Sequence, residues 1–206
     1  MRLEKLLGSR RKKKYPPRTT NSQHDYPVAP NRLNRDFQAT QPNQKWLADT
    51  LPTPPTLEGW LYLAVVMDLF SRKIVGWSFT DNLESSLVEC AFQMAVQNVA
   101  TLDGLLHHSD RGSQYAADAY QQLLVAQRVQ VSMSRRGNCY DNASMESFFG
   151  TLKNECVHHR NYLTRQEAIT DIFSYIVGFY NRQRLHSSLG YLSPEEFERR
   201  YYFNLS

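Results

Sequence analysis

The order of apolar and polar positions along the chain predicts an α/β protein. The segment GWLYLAVVMDLFSRKIVGWSF holds two apolar runs rich in β-branched and aromatic residues, at roughly 60–67 and 73–79. A short polar turn from Asp68 to Arg72 separates them, so we predict an antiparallel hairpin and assign Asp68 to turn chemistry. The short apolar segments GLLHHSD, which ends at Asp110, and VQVSM, at 129–133, predict two further strands.

Helical periodicity marks the segments that follow the hairpin. Asp81 with Glu84 three residues later predicts a helix start, and an apolar face continues to about residue 99. A second helix is expected after Gly112. Thr164 and Glu167 form a capping-box pattern ahead of a later helix. That helix is expected to bury Ile172, Phe173, Ile176 and Phe179. Strands followed by alternating helix and strand predict a mixed sheet with helices on its faces.

The segment DNASMESFFGTLKNE, residues 141–155, has the pattern of an amphipathic helix with a carboxylate beside its apolar face. Asn142, Glu146, Gly150 and Lys153 form a stripe next to that face. Glu146 is therefore either neutralised by a nearby cation, for which Lys153 is a candidate, or held for chemistry. The apolar face consists of Met145, Phe148, Phe149, Leu152 and Cys156.

Charge is distributed very unevenly along the 206 residues, although the whole chain carries only +4. Residues 1–20 hold eight basic residues against Glu4 alone, which gives +7, whereas the other sixteen basic and nineteen acidic residues give −3. A basic arm of this density favours nucleic acid through counterion release, and a solvated tail is the plainer alternative. The DNA-binding candidates in the arm are Arg10, Arg11, Lys12, Lys13 and Lys14.

Cysteine content and hydropathy indicate the compartment. Three cysteines without C-x-x-C spacing argue against a disulfide framework or a zinc site, and we expect reduced thiols. The sequence has no apolar run of eighteen residues and no signal-peptide pattern, so we expect a cytoplasmic protein without a membrane partner.

Three carboxylates are candidates for a metal site. Asp49 in QKWLAD and Asp110 in LLHHSD follow predicted strands, where reactive groups gather in sheets of this kind, and Glu146 adds a third. Three carboxylates at close range repel one another unless a divalent cation is bound, and oxygen ligands suit Mg²⁺ or Mn²⁺. Each acid also has an ordinary alternative as a cap or an ion-pair partner, and spacing alone does not choose between these.

Five motifs together resemble the integrase-type catalytic core of bacterial insertion-sequence transposases, the OrfB products of the insertion-sequence-three group. The motifs are QKWLAD, GWLYLAVVMDLFSRKIVGW, HHSDRGSQY, SMSRRGNCYDNASMESFFGTLKNE and YNRQRLHSSLGYLSPEEF. The resemblance spans about residues 20–200. In that family the catalytic set is Asp, then Asp, then thirty-five residues, then Glu, and residues 111–145 separate Asp110 from Glu146. Asp49 matches the first position.

The resemblance implies a ribonuclease-H-like fold and metal-dependent transfer of DNA strands through a 3′-hydroxyl nucleophile. Asp49, Asp110 and Glu146 would hold two Mg²⁺ or Mn²⁺ ions. The implied partners are double-stranded DNA at the element ends and the target, further copies of the chain, and an OrfA-type chain. We expect a basic arm and linker over residues 1–40, as the end of a helix-turn-helix region, followed by the catalytic core with a C-terminal helical segment over 41–206. The cytoplasmic location would be bacterial and nucleoid-associated.

Several polar residues near these motifs are candidates for DNA contacts. Lys153 on the Glu146 stripe and Arg135 and Arg136 in the loop before the helix are expected to contact phosphate. Strand alternation points His107 and His108 to opposite faces, so they do not suit one metal ion. One is expected to be a core histidine and the other a contact near the site or with DNA. For Tyr180, Asn181, Arg184 and His186 we favour packing over DNA contact.

The first strand departs from the family pattern, because ADTLPTPPTLEGW places Pro52, Pro54 and Pro55 after Asp49. Proline removes a backbone donor and is poorly tolerated in a central strand. Either the strand ends near Asp49 and a longer loop follows, or the first strand is damaged. Two other functions therefore stay open beside transposition: an inert DNA-binding remnant that regulates a full-length transposase, and a nuclease without joining activity.

Overall fold

A mixed β-sheet forms the centre of the computed structural model, which describes residues 21–53, 56–97, 99 and 101–205. Its strands are β1 (Lys45–Pro52), β2 (Tyr62–Asp68), β3 (Ile74–Thr80), β4 (Leu106–Ser109) and β5 (Gln130–Met133). The order is β3-β2-β1-β4-β5, with antiparallel pairing from β1 to β3 and parallel pairing from β1 through β4 to β5. The predicted hairpin, the two later strands and the mixed sheet are confirmed.

Helices cover both faces of this sheet. They are α1 (Ser85–Val96), α2 (Ser113–Ala116), α3 (Asp118–Ala126), α4 (Ala143–Glu155), α5 (Arg165–Ser174) and α6 (Pro194–Phe203). The capping box before α5 is confirmed, because the Glu167 N–H donates to Thr164 Oγ1 at 3.1 Å and Glu167 Oε2 accepts from the Thr164 N–H. The predicted start of α1 at Asp81 is wrong: the helix begins at Ser85 after an extended Glu84, and Asp81 instead forms an ion pair with Arg165.

Two of the four residues expected to be buried after Thr164 are exposed. Ile172 and Ile176 lie in the core, but Phe173 and Phe179 are 46% and 41% exposed. After α5 the chain continues as a π-helical segment, Tyr175–Tyr180, in which the spacing of the hydrogen bonds is five residues instead of four. This change rotates Phe179 away from the 3.6-residue pattern, while Phe173 lies at the margin of the core against the Trp77 ring.

Alternation along β1 determines which residues face which layer of helices. Trp46 and Ala48 belong to the core beneath α1 and α3, whereas Leu47 and Leu51 belong to the core beneath α4 and α5. Because side chains alternate along a strand, Asp49 points to the α4 side of the sheet. The predicted apolar face of α4 is confirmed, since all five of its residues are buried in this second core: Met145, Phe148, Phe149, Leu152 and Cys156.

Strand β1 does not end near Asp49, so that expectation was wrong. It continues to Pro52, which lies opposite Tyr62 of β2. The Thr53 N–H donates to Leu61 O, and hydrogen-bonding positions alternate along an antiparallel pair, so the nitrogen of Pro52 faces away from β2. On that side the pairing with β4 has already stopped at Ala48. The proline therefore removes no ladder hydrogen bond. Pro54 and Pro55 lie outside the described residues.

Residues 21–44 run along the core as a strap. Ser132 Oγ accepts hydrogen bonds from the N–H groups of Arg32 and Leu33, and the Leu33 side chain is buried. The Asn21 carbonyl accepts from the Ser113 N–H at 3.1 Å. These contacts bring the start of the described chain to the N-terminus of α2.

The C-terminal segment packs mainly through Tyr180 and Asn181, as favoured from sequence. Both are buried, and the Asn181 side-chain amide forms hydrogen bonds of 2.9 and 3.0 Å with the N–H and carbonyl of Ile74. These bonds fix the end of the π-helical segment to β3. Cys90 and Cys156 are free thiols. No helix among the described residues combines the length and apolar character that a membrane crossing requires.

Candidate active site

Asp49 and Asp110 leave the sheet side by side. The parallel pairing of β1 with β4 ends at Ala48 opposite Ser109, and the two aspartates are the next residues along the chain, Asp49 within β1 and Asp110 directly after β4. Asp110 has the same alternation phase as Leu106, which packs against the α4 core, as Leu47 does for Asp49. Both carboxylates therefore emerge at the same edge and on the same face of the sheet.

Glu146 lies in the first turn of α4, opposite these two aspartates. The three acids line one pocket of about 480 Å³, which we call the three-acid pocket. Burial of the neighbouring Met145 and Phe149 fixes the helix, while the Glu146 side chain is exposed to the pocket. The remaining wall includes Thr50, Arg111, Ser134, Arg135, Arg136 and Asn142.

Short hydrogen bonds hold the two strand carboxylates. Asp49 Oδ1 accepts from the Thr50 N–H at 2.7 Å, and Asp49 Oδ2 accepts from Asn142 Nδ2 at 2.9 Å. Asp110 Oδ1 accepts from the Gly112 N–H at 2.7 Å. Asn142 is one helical turn before Glu146, so one short segment both supplies the third acid and orients the first. The sequence placed Asn142 on the Glu146 stripe but gave it no role.

The electrostatics of the pocket are dominated by negative charge. Burial, followed by the charge of Asp110 and more weakly that of Glu146, raises the pKa of Asp49 well above its ordinary value. Tyr115 lies beneath, with a buried hydroxyl that has no hydrogen-bond partner in the described residues. Burial and the charges of Asp49 and Asp110 raise the pKa of Tyr115, so it stays neutral. Ionised Asp49 is therefore destabilised without a nearby cation.

Asp141 organises the loop beside the pocket, a role that the sequence did not indicate. Its carboxylate is fully buried and accepts from Arg135 Nε at 3.0 Å, Arg135 Nη2 at 2.7 Å and the Arg135 N–H at 2.9 Å. Arg35 Nε and Asn31 Nδ2 of the strap donate to the same group at 3.0 and 2.9 Å. These bonds hold the pKa of Asp141 well below its ordinary value. We call this group the Asp141 clamp.

The other candidates for DNA contact occupy different positions. Arg136 is exposed at the wall of the three-acid pocket, and Arg135 lines the same wall while bound to Asp141. Lys153 is half-buried on α4 and forms no ion pair with Glu146 or any other described residue, so the simple pairing alternative is wrong. The arm residues Arg10 to Lys14 lie outside the described residues.

His107 and His108 are both core residues. His107 Nε2 lies 3.0 Å from the Tyr120 hydroxyl, and His108 is bonded through its two ring nitrogens to Ser132 and Ser134. Burial lowers the pKa of His107 to about 3 and that of His108 to about 4. Of the two alternatives for the second histidine, a contact near the site is supported for His108, because Ser134 lines the three-acid pocket. A contact with DNA is wrong, because neither ring is accessible.

Asp68 has the predicted turn role. Its carboxylate accepts from the N–H groups of Phe70 and Asn43 at 3.0 Å each. Burial raises its pKa to about 6.

The residues of the three-acid pocket fit a hard divalent cation. Carboxylate oxygens are the ligands that Mg²⁺ and Mn²⁺ prefer, and a cation offsets the burial and the repulsion that together raise the Asp49 pKa. Across residues 21–53, 56–97, 99 and 101–205, no three His, Cys, Asp or Glu side chains already converge at metal-binding distances. Glu146 is exposed on a long side chain, so rotation about its side-chain bonds can bring its carboxylate closer to the two aspartates.

The fold and the pocket together define the class of protein. A mixed sheet of order 3-2-1-4-5 with helices on both faces, and acids at the ends of β1 and β4, is the ribonuclease-H-like arrangement of integrase cores. The sequence matches the family described as integrase core domain over residues 39–139, and a second family of the same description over residues 146–201. Together these matches cover most of the described chain.

The chain belongs to the family of insertion-sequence transposases with an integrase catalytic core. It is 48% identical to a 31 kDa protein of insertion element IS600 from Shigella sonnei, over 98% of this chain and 74% of that protein. It is 49% identical to the transposase of IS904 from Lactococcus lactis, over 82% of this chain and 67% of that protein. Identity to transposase InsF of IS3A from Escherichia coli is 45%, over 86% of this chain and 61% of that protein.

Solved structures support the fold. A chain of the simian T-cell lymphotropic virus intasome, in complex with a PP2A regulatory subunit, superposes with a TM-score of 0.63 at 18% identity and covers 88% of this chain and 61% of that chain. The HTLV-2 integrase catalytic core domain in complex with magnesium superposes with a TM-score of 0.58 at 17% identity, over 78% of this chain and 99% of that chain. The expected ribonuclease-H-like fold is confirmed.

Proposed function

We propose that this chain catalyses metal-dependent cleavage and joining of DNA strands during transposition of an insertion sequence. The observation that carries the proposal is the convergence of Asp49, Asp110 and Glu146 from two strands and a helix on one pocket, with arginines at its wall. Hydrophobic burial of α4 and backbone hydrogen bonds to the aspartates determine that arrangement. The wall supplies positive charge where a phosphodiester would enter.

Asp49, Asp110 and Glu146 would hold the metal. Two bound Mg²⁺ or Mn²⁺ ions would activate a water or 3′-hydroxyl oxygen and stabilise the departing 3′ oxygen. The proposal is consistent with the use of divalent metals by integrase cores and with the magnesium named for the HTLV-2 core. Because the ionised acids repel one another, a bound cation stabilises their ionised form, and the ionised acids in turn bind the cation more tightly.

The chain's own residues position the reacting groups. Asn142 keeps Asp49 directed to the pocket, and the Gly112 N–H does the same for Asp110. The exposed Arg136 and the free N–H donors of Arg135 are placed to bind a phosphate at the pocket wall. Lys153, one turn beyond Gly150 on the Glu146 stripe, would contact the backbone further along. Such positioning and charge stabilisation account for most of the acceleration in phosphoryl transfer.

The whole protein's substrates and partners form part of the same proposal. We expect double-stranded DNA at the element ends and the target, a multimer of this chain on DNA, and an OrfA-type partner that recognises the ends. The basic residues of the 1–40 arm would bind phosphate next to the core, because the strap brings residue 21 to the N-terminus of α2 beside Arg111. The intasome named for the viral neighbour is consistent with a multimer.

A branched DNA that mimics a joined product tests the proposal, because it needs the catalytic core but little recognition of element ends. The chain is incubated with this DNA in Mg²⁺, in Mn²⁺ and in EDTA, and products are resolved on a denaturing gel. We expect resolution in either metal and none in EDTA. A folded chain that binds the DNA but leaves it intact in both metals would favour the inert remnant instead. Pro52 gives that alternative no support, since it removes no ladder bond from β1.

Asp49 predicts a link between pH, metal and stability. Its folded pKa is raised above the unfolded value near 4, so its ionised form costs stability at neutral pH, and this cost disappears as pH falls through the folded pKa. We therefore expect Asp49→Asn to raise Tm at pH 7 in EDTA by about 2–4 °C, the equivalent of about 1 kcal/mol. The difference should shrink towards pH 4 and on addition of Mg²⁺.

Thermal unfolding followed by circular dichroism measures this effect. Asp103→Asn is the matched control, because this substitution removes the same charge at an exposed position in the loop before β4. A lower Tm for Asp49→Asn than for wild type at pH 7 in EDTA would show that the carboxylate is not under electrostatic strain.

A further inference from the structure

A second pocket, of about 520 Å³, lies on the next face of α4. We call it the arginine pocket and define it by Arg72, Arg184, His186, Ser147 and Ser187. Arg72 comes from the turn between β2 and β3, whereas Arg184 and His186 come from the segment after the π-helical turn. The described residues that line it include three basic side chains and several hydroxyl groups, and none of them is acidic.

Arg72 is a cation without a counter-ion. Its side chain is half-buried and forms no hydrogen bond or ion pair with any residue in the described part of the chain. Its backbone is left-handed, with φ of 62°, which is uncommon for a residue other than glycine. Burial lowers the pKa of Arg72, and the neighbouring Tyr180 side chain opposes this shift more weakly, so the loss of water is only partly offset. A bound anion would offset this cost.

His186 and Arg184 provide further donors at the same place. The Arg184 guanidinium is fixed by Glu155, with Nε and Nη2 at 3.0 and 2.9 Å from Oε1. His186 packs on the Tyr180 ring, and its buried Nε2 has no hydrogen-bond partner among the described residues. Burial and the charges of Arg184 and Arg72 lower the pKa of His186 to about 4, so the ring is neutral at pH 7. Because Nε2 is buried, the ring would have to turn towards the pocket before a neutral Nε2–H could complete its hydrogen bonding by donating to an anion.

The arginine pocket and the three-acid pocket share α4. Glu146 lines one and Ser147 the other, and consecutive residues of an α-helix are about 100° apart. A strand that crosses the N-terminal turns of α4 therefore passes both pockets. A helix with its side chains is about 10–12 Å wide, and a B-form strand advances about 3.4 Å per nucleotide, so the crossing takes about three nucleotides.

We propose that the arginine pocket binds a backbone phosphate of the DNA, about three nucleotides from the phosphate that reacts in the three-acid pocket. The unpaired guanidinium of Arg72 and the fixed guanidinium of Arg184 supply donors for phosphate oxygens. His186 would add a third donor if its ring turned towards the pocket. Ser147 and Ser187 add hydroxyl donors. The position of the bound phosphate rests on the function proposed above, whereas the anion site itself does not.

The test is a scan of the branched DNA with single neutral methylphosphonates, in which affinity is measured in EDTA so that no reaction is needed. For wild type we expect one position, about three nucleotides from the branch, at which neutralisation weakens binding about tenfold. Arg72→Gln should bind unmodified DNA about tenfold more weakly, show a salt slope shallower by about 0.9, and be insensitive at that position.

Arg128→Gln is the matched control. Arg128 also has a left-handed backbone, with φ of 57°, and is exposed in the turn before β5 away from both pockets. It should change affinity less than twofold and keep the wild-type scan. Ser187→Asp, at an exposed position, keeps Arg72 in place and should reproduce the loss of DNA affinity by repelling the phosphate. It therefore distinguishes loss of the phosphate contact from misfolding of Arg72→Gln.

Coincident scans for wild type and Arg72→Gln would overturn the proposal. If, in addition, inorganic phosphate stabilised wild type but not Arg72→Gln, the pocket would hold a free anion and not a DNA phosphate. If wild type showed the expected sensitive position in the scan but no metal-dependent resolution of the DNA, the catalytic proposal alone would be refuted.

Discussion

Replacing Glu146 by Gln is expected to lower the rate of branched-DNA resolution by about 10³-fold or more, equivalent to about 4 kcal/mol in the barrier. The amide keeps the size of the side chain on α4 but removes the charge that Asp49 and Asp110 need to complete a cation site. Asp110→Asn should have a comparable effect. Both substitutions leave the buried face of α4 unchanged, so DNA binding in EDTA should persist with its ordinary salt dependence.

The control for this result is Glu89→Gln, which makes the same change on α1, outside the three-acid pocket. It should resolve the branched DNA at the wild-type rate. Resolution by Glu146→Gln at the wild-type rate in Mg²⁺ would remove that residue from the mechanism. A loss of DNA binding together with activity would show that the substitution had disturbed the fold, and circular dichroism would detect that directly.

Asp141→Ala is expected to destabilise the protein by about 3 kcal/mol and to lower Tm by about 6–12 °C. The substitution leaves Arg135, Arg35 and Asn31 without the buried carboxylate that joins the strap to the loop before α4. The arginines are about half exposed, so water recovers part of the loss, and the estimate is at the low end for breaking a buried pair. The Asp141 pKa is depressed in the folded state, so this stabilisation is present above pH 4 and is lost in acid.

Thermal and urea unfolding of Asp141→Ala, beside Asp103→Ala, measure that contribution. Asp103 is exposed in a loop, so its replacement should change Tm by about 1 °C or less. A Tm for Asp141→Ala within 2 °C of wild type would mean that the clamp contributes little. In that case the loop carrying Arg135 and Arg136 must be held by its other contacts.

Local patterns in the sequence predicted the elements that depend on local physics. The hairpin follows from two runs of β-branched and aromatic residues on either side of the Asp68 turn, and the start of α5 follows from Thr164 and Glu167. The buried face of α4 follows from helical spacing. The start of α1 was misplaced because aspartate is a residue type that often caps helices, whereas in the fold Asp81 forms an ion pair with Arg165. The exposure of Phe179 depends on a π-helical turn that a 3.6-residue pattern does not contain.

Long-range pairing set the parts of the site that sequence reasoning missed. Asn142 reaches Asp49 across 93 positions, and the Asp141 clamp joins residues more than 100 positions apart. Neither pairing has a local signature. The tolerance of Pro52 also depends on where β4 stops beside β1, which the strand's own sequence does not show. The three acids were placed by their resemblance to a family, and the sheet register explains why two of them meet.

The most direct test of the central claim is a titration of Mn²⁺ into the complex of the chain with branched DNA, followed by the electron paramagnetic resonance signal of free Mn²⁺. We expect wild type and Glu89→Gln to remove ions beyond those bound by DNA alone. Asp49→Asn, Asp110→Asn and Glu146→Gln should each weaken this uptake at least about tenfold, because each removes a charged ligand. Equal uptake by wild type and a variant lacking all three carboxylates would contradict the assignment of the metal to the three-acid pocket.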